Sequence, residues 1–210
     1  MTKLKFDSTS SIKGVLYQFF VALEQCFKMR EGQAVYIETY GDVSVLGNLF
    51  DSKQIESKLY KKALTDSDKN VWKSLYNWMR EDFPIDQFGY LVLLTTQRVP
   101  MGSAWLNWND KTPSERIAVL RDIKKSFDSR KRKDKDLAAY MTAIFDAKNA
   151  TRLSLVAKML YIDSISMDGN QYHKYLQEKY GKHIPNIQKG KYINHMFAYI
   201  LNPNIVSNNW

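Results

Sequence analysis

The chain has 210 residues, 44% of them hydrophobic, and a formal net charge of +9 at pH 7. That length buries the core of one domain, residues 1–210, and argues against two large independent ones. The single cysteine, Cys26, excludes a disulfide framework and thiolate metal ligation, no stretch approaches the ~20 apolar residues of a membrane span, and the positive balance favours polyanionic partners.

The first eight residues lack the apolar core of a signal peptide, so a cytoplasmic location with no membrane role is expected. Leu16, Phe19, Phe20, Leu23 and Phe27 recur at helical spacing and predict a buried helix over Val15 to Met29, capped by the Ser8-Thr9-Ser10-Ser11 cluster. Ala34 to Ile37, Val43 to Leu46 and Gln54 to Tyr60 read as three strands. In the third, Gln54, Glu56 and Lys58 share one polar face, while Ile55, Ser57 and Leu59 share another that can be packed. In the second, Val43 and Val45 point one way and Asp42 and Ser44 the other, with Gly47-Asn48 as turn chemistry before the next strand. A hairpin of the two sets Asp42 beside Glu56 and Lys58.

Asp66 to Met79 is a predicted helix that Thr65 or Asp66 can cap, with a core-facing stripe of Val71, Trp72, Leu75 and Trp78. Gly89 to Gln97 suits a central strand buried on both faces and lying beside the hairpin. Its polar end, Thr95, Thr96 and Gln97, either reaches a ligand or caps hydrogen bonds. Met101 to Asn109 follows as a loop in which Trp105 and Trp108 either contact a partner or fold back. Ser114 to Arg130 is a helix opened by Thr-Pro-Ser-Glu, with Ile117, Leu120, Ile123 and Phe127 inward. Leu137 to Phe145 is helical, Leu153 to Ile165 is helix passing into strand, and Tyr172 to Tyr180 and Tyr192 to Leu201 are two final helices. His173, His183 and His195 have no paired metal spacing and read as surface or packing residues, and there is no Walker loop or Gly-x-Ser-x-Gly elbow.

Two neighbouring carboxylates in a cleft repel unless a proton or a hard cation lies between them. Magnesium suits that place, because it takes one or two carboxylates together with waters and phosphate oxygens. A lysine on the same face orients an attacking water or balances charge on a phosphorane.

An acid on one strand and Glu-x-Lys on the next resembles the PD-(D/E)xK nuclease core. Around it come, in order, Gly14-Val-Leu-Tyr17-Gln18, Glu38 with Tyr40-Gly41-Asp42-Val43, Gln54-Ile-Glu56-x-Lys58, Leu64-Thr65-Asp66-Ser67 and Val71-Trp72-Lys73-Ser74-Leu75-x-Asn77-Trp78. Together these segments resemble the N-terminal nuclease domain of the CD-NTase-associated effector endonucleases and the nuclease subunits of Lamassu-type anti-phage systems. The likeness is strongest over the first half of the chain.

The resemblance implies an α/β fold with a PD-(D/E)xK restriction-endonuclease-like core, a central mixed sheet flanked by helices, and a helical C-terminal part. The core would span about 12–100 and the helical and mixed remainder about 112–210. It further implies a cytoplasmic hydrolase that cuts double-stranded DNA with Mg2+, or with Mn2+ in its place, and is held inactive until infection is sensed. Asp42 and Glu56 would be the metal ligands and Lys58 the catalytic lysine. Glu38 and Gln18 match flanking positions, Glu38 as a further acidic ligand or a group supporting one, and Gln18 as a residue that holds the site or touches DNA. Many relatives carry Gln before the x-Lys; here Gln54 and Glu56 both lie in the strand, and Glu56 is favoured as ligand.

Lys124, Lys125, Arg130, Lys131, Arg132 and Lys133 form the densest positive charge. Such a run is either a solvated turn or, in a DNA-cutting protein, the backbone-binding patch. Sensor or assembly subunits of a defence complex, an SMC-like protein among them, are the implied partners. Cutting two strands needs two sites, so a homo-oligomer is expected when active. The alternative is a non-catalytic DNA-binding or assembly module that retains the fold, whose salt-sensitive affinity for DNA is indifferent to Asp42, Glu56 and Lys58.

Overall fold

The computed structural model describes residues 9–164 and 167–202. Its centre is a five-stranded mixed sheet in the order β1-β2-β3-β4-β5, formed by Ala34–Ile37, Val43–Leu46, Lys53–Lys58, Tyr90–Thr95 and Leu160–Ser164. β1, β2 and β3 are antiparallel neighbours, while β4 runs parallel to both β3 and β5. The expected α/β class with a mixed sheet flanked by helices therefore holds, and β4 lies beside the hairpin strands. The fifth strand comes from the second half of the chain, so the sheet is not finished within residues 12–100. Leu153 to Ile165 does pass from helix into strand; Ile165 itself lies outside the described residues.

Seven helices cover the two faces among the described residues: α1 (Thr9–Lys28), α2 (Lys69–Met79), α3 (Pro113–Asp128), α4 (Lys135–Ile144), α5 (Ala150–Met159), α6 (Gly169–Tyr180) and α7 (Asn186–Ile200). None is long and apolar enough to cross a membrane. Tyr17, Val21 and Ala22 of α1 pack on Val43, Ile55 and Leu94 of the sheet. Phe19 and Leu23, on its far side, meet Leu176, Ile193 and Ile200 of α6 and α7. α1 is thus buried from both sides, which its apolar spacing alone does not reveal. Leu16, expected inward, is 38% exposed, because Tyr17, one residue and ~100° further round the helix, takes the sheet-facing place. Of the expected cap cluster, Ser8 lies outside the described residues and Thr9 opens the helix itself.

The other face carries the larger core, where α2, α4 and α5 meet Leu91, Leu93, Leu160 and Ile162. The α2 stripe is buried as expected. Its cap is Asp68, whose side chain accepts from Asn70 N, while Asp66 instead accepts from Ser103 Oγ at 2.9 Å and Ala104 N at 2.8 Å. Trp105 and Trp108 fold back to 1% exposure each, their indoles donating to Thr65 O and Leu160 O. Asn109 grips the outer edge of β5, accepting from Ile162 N and donating to Ile162 O, both at 2.9 Å, so this edge is closed to a further strand. Thr112 and Glu115 form a capping box at the start of α3. Arg116 follows, 4% exposed and without a carboxylate partner among the described residues; its guanidinium donates to the carbonyls of Trp108, Asn109, Ala157, Lys158 and Leu160.

One acid is buried between α1 and α6. Glu24, 3% exposed, accepts from the hydroxyls of Tyr172, Tyr175 and Tyr180 and from the ammoniums of Lys28 at 2.7 Å and Lys179 at 3.3 Å. Burial alone would raise its pKa, but the hydrogen bonds from Lys28 and Tyr172 outweigh burial and hold it at about 2. The folded pKa lies below the unfolded value of ~4.3, so this stabilisation is complete above that pH and is lost as pH falls towards about 2. Urea midpoints are expected to drop between pH 5 and pH 2 in the wild type. Glu24→Gln should start lower at pH 7, by about 2 kcal/mol, and show a flatter acid limb. Parallel acid limbs in the two proteins would remove Glu24 as the cause.

Candidate active site

The β1–β2 hairpin turns through Glu38 to Asp42, closed by a bond from Glu38 N to Asp42 O at 3.2 Å. Glu38 has φ 55 and Gly41 φ 109. The left-handed backbone at Glu38, unfavourable for a side chain with a Cβ by ~1 kcal/mol, is held by the closing bond. At Gly41 the requirement is stricter. A Cβ built there would lie 2.3 Å from Gln54 Nε2 and 2.8 Å from Glu56 Oε1. Neither group can step aside cheaply, because Gln54 is fully buried and Glu56 is 7% exposed. Gly41→Ala is expected to destabilise by about 2–3 kcal/mol and to displace the Glu56 carboxylate. A urea midpoint equal to wild type would show that the turn tolerates a side chain.

Val43 pairs with Ile55, which places Asp42 opposite Glu56. Asp42 Oδ2 accepts from Ser57 N at 2.8 Å and Ser57 Oγ at 3.2 Å. Lys58 Nζ lies 2.9 Å from Glu56 Oε2 and 3.6 Å from Asp42 Oδ2. The two carboxylates thus converge on one cationic position. Glu38 belongs to the same field: burial, then the charges of Asp42 and Glu56, push its carboxyl above the usual range, against a hydrogen bond from Gln18 and the charge of Lys58. Lys58 is held above the usual lysine range. Burial opposes that, but the charges of Glu56 and Asp42 and the hydrogen bond to Glu56 prevail, so it keeps its proton at neutral pH.

All five residues singled out from the sequence, Gln18, Glu38, Asp42, Glu56 and Lys58, therefore interact at one end of the sheet. The polar face of β3 is itself covered: Gln54 on it is fully buried, and so is most of Glu56. The reason is Trp78 of α2, whose indole donates to Gln54 Oε1 at 2.5 Å. An indole nitrogen is only a donor, which fixes the amide with Nε2 towards Glu56 Oε1, 3.2 Å away. Gln54 holds Glu56 in place, a role that reading β3 by itself does not disclose, since the partner lies on a distant helix.

The polar end of β4 turns inward. Thr95 Oγ1 and Gln97 Oε1 are bonded, Gln97 Nε2 donates to Asp68 at 3.0 Å, and Thr96 Oγ1 donates to Tyr60 O at 2.8 Å, so these residues cap hydrogen bonds of the protein itself. Lys69, next to Asp68, pairs with Asp134 and Asp136 at the start of α4. Thr95 is the register partner of Lys58, so this chain of contacts puts the exposed loop of Arg130, Lys131, Arg132 and Lys133 at the Lys58 end of the sheet. Lys124 and Lys125 lie apart from it on α3, beside a groove towards α5. His173 is bonded to Asn194 and Gln177 and takes no part in the site.

The donor set suits a hard divalent cation. It consists of carboxylate oxygens, and among the described residues the hydrogen bonds and the ion pair of Asp42 are made through Oδ2. Among the described residues no three His, Cys, Asp or Glu side chains are gathered closely enough to hold a metal by themselves. Two carboxylates are what magnesium commonly takes from a protein, with waters and phosphate oxygens completing its shell.

No protein-family model matches the chain, and no curated protein matches it. Among solved structures, a SAVED/CARF-domain containing receptor, Cap4 of Moraxella osloensis, superposes with a TM-score of 0.49 at 14% sequence identity. The match covers 90% of this chain and 42% of that one, so the chain spans about two fifths of the length of the structure it resembles.

Proposed function

We propose that the chain is a magnesium-dependent DNA endonuclease domain of the PD-(D/E)xK type, an effector in bacterial defence against phage or plasmids that is activated by assembly. The observation that carries this reading is the meeting of Gln18, Glu38, Asp42, Glu56 and Lys58, drawn from α1, the hairpin and β3, around one cationic position. A binding module gains nothing from setting three carboxylates where phosphate must approach, because each repels it.

Asp42 and Glu56 would hold the Mg2+, and Glu38 stands where it supports them. Bound there, the ion would polarise the scissile phosphate and lower the pKa of a coordinated water. The chain's own groups do the positioning. Ser57 fixes Asp42 through Oδ2, and Trp78 and Gln54 fix Glu56 through Oε1. Lys58 stays protonated, and its ammonium is the one positive charge within the acidic group among the described residues, able to meet a phosphate oxygen or orient the attacking water. The loop of Arg130 to Lys133 at the same end would grip the DNA backbone without reading sequence.

Plasmid cleavage with magnesium, with and without EDTA, tests the proposal at several protein concentrations. Nicking or linearisation that EDTA abolishes, rising steeply with concentration, is the expected result, since two strands require two sites. Salt-sensitive DNA binding unaffected by Asp42→Asn, with no cleavage at any concentration, would instead favour the assembly module.

A further inference from the structure

The two edges of the sheet are finished differently. Asn109 stops the outer edge of β5 by bonding both the amide and the carbonyl of Ile162. No described residue does the same for β1, the opposite edge. Bonding alternates along an antiparallel ladder, and the bond from Glu38 N to Asp42 O fixes its phase. Ala34 and Tyr36 therefore bond to Leu46 and Ser44 of β2, while Val35 and Ile37 turn their amides and carbonyls outward. Among the described residues the only bond to those four groups is a long one, from Thr39 Oγ1 to Ile37 O at 3.3 Å, and a carbonyl has a second lone pair.

Ala34-Val-Tyr-Ile37 carries no lysine, proline or charge of the kind that keeps an edge solitary, and its β-branched and aromatic residues favour pairing. Its side chains are already placed: Val35 and Ile37 pack in the cluster under α1, and Tyr36, on the other face, meets Tyr40 with ring centroids at 5.7 Å. The outward groups are complementary to themselves. Laid antiparallel on its own copy about Tyr36, Val35 faces the partner's Ile37 and Ile37 faces the partner's Val35, and each pair exchanges two bonds. Glu38 then falls opposite Ala34 and Gln33 opposite Thr39, so no like charges meet. Centring on Val35 would set Ile37 against Gln33, whose amide is already bonded to Arg30 O, and centring on Ile37 would set Val35 against Thr39, beyond the left-handed backbone of Glu38.

We propose that β1 pairs with β1 of a second copy of this chain, antiparallel and centred on Tyr36, joining two five-stranded sheets edge to edge. A pairing of so few residues buries less than the ~1,200 Å² of a lasting interface, so the pair is weak and forms as concentration rises. Ile37 leads directly into Glu38, whose amide closes the turn that carries Asp42. Pairing therefore steadies the hairpin of the acidic group and makes assembly a condition of activity; that consequence rests on the nuclease reading, whereas the pairing does not. Because the strands are antiparallel, the two acidic groups lie at opposite ends of the joined sheet, and one pair presents one site to a duplex.

Disulfide trapping tests the register. In a Cys26→Ser background, Tyr36→Cys should oxidise to a covalent dimer at least tenfold faster than Ala34→Cys, which lies on the same face but roughly 14 Å from its own copy. Sedimentation of the full chain tests the pairing itself: the wild type should pass from monomer to dimer with concentration. Tyr36→Lys and Tyr36→Glu should each weaken that association at least tenfold, since each sets like charges across the dyad, and mixing the two variants should restore it. Recovery in the mixture shows that both variants are folded. A wild type that stays monomeric at every concentration, equal trapping of Tyr36→Cys and Ala34→Cys, or a mixture no better associated than either variant would overturn the pairing. None of these readouts uses cleavage, so a chain that pairs without cutting DNA counts against the nuclease reading alone.

Discussion

Lys58→Ala is expected to cut plasmid DNA at least about 10²–10³-fold more slowly than the wild type, the scale on which a single preorganised donor acts at a reacting centre. Among the described residues the side chain is the only positive charge between Asp42 and Glu56, at 3.6 and 2.9 Å. Removing it leaves two carboxylates facing one another, with Glu38 adding a third charge to the same field. Without metal the variant should therefore be somewhat less stable than the wild type, and added magnesium should raise its melting temperature by more. That second readout separates a catalytic loss from an unfolded protein: a folded variant that binds magnesium and does not cut places Lys58 in the chemistry. Lys58→Arg keeps the charge but spreads it over a planar fork, and is expected to recover stability more fully than cleavage. Cleavage by Lys58→Ala within tenfold of the wild type would sink the role assigned to it.

Alternation and turn chemistry were enough to bring Asp42 opposite Glu56, because slipping the hairpin by one residue would turn Ile55 away from the face of Val43 and Val45, and the connection through Gly47-Asn48 selects among the registers that remain. The continuous apolar run from Tyr90 likewise reads as a central strand by itself. What stayed illegible depends on partners far along the chain. Glu24 looks like an exposed helix residue until Tyr172, Tyr175 and Tyr180 come over it, some 150 residues later in sequence. Gln54 and Glu56 are both polar residues of β3; only the indole of Trp78 sorts them, fixing one as the support of the other. Trp105 and Trp108 gave equal weight to a contact surface and to the core. Their indole donors decided it, because each finds a backbone carbonyl in the interior that a loop in solvent would not provide. Helical spacing around Leu16 failed for a related reason, since α1 meets the sheet on one side and α6 with α7 on the other, and a single stripe describes neither.

Arg116→Ala should lower the stability of the folded chain by about 3–5 kcal/mol, more than the loss of any single apolar contact around it. The guanidinium is a buried junction. It donates to Ala157 O at 3.0 Å and Lys158 O at 3.2 Å at the end of α5, to Leu160 O at 2.9 Å at the start of β5, and to Trp108 O and Asn109 O in the turn before α3. The last carbonyls of a helix have no partner within it, and the negative end of the α5 dipole takes the place of the missing carboxylate. Its plane also stacks near Trp108 and Tyr161, with centroids at 5.6 and 5.4 Å. Alanine leaves several buried carbonyls unpaired and a cavity beside β5, the strand that completes the sheet. Arg116→Lys restores the charge but not the fork, and with three donors in one cluster it is expected to recover less than half of the loss. Urea unfolding checks this through the midpoint at constant slope. A midpoint for Arg116→Ala within 1 kcal/mol of the wild type would mean that water replaces the guanidinium at all five carbonyls, and that the α5–β5 corner is held by its apolar contacts alone.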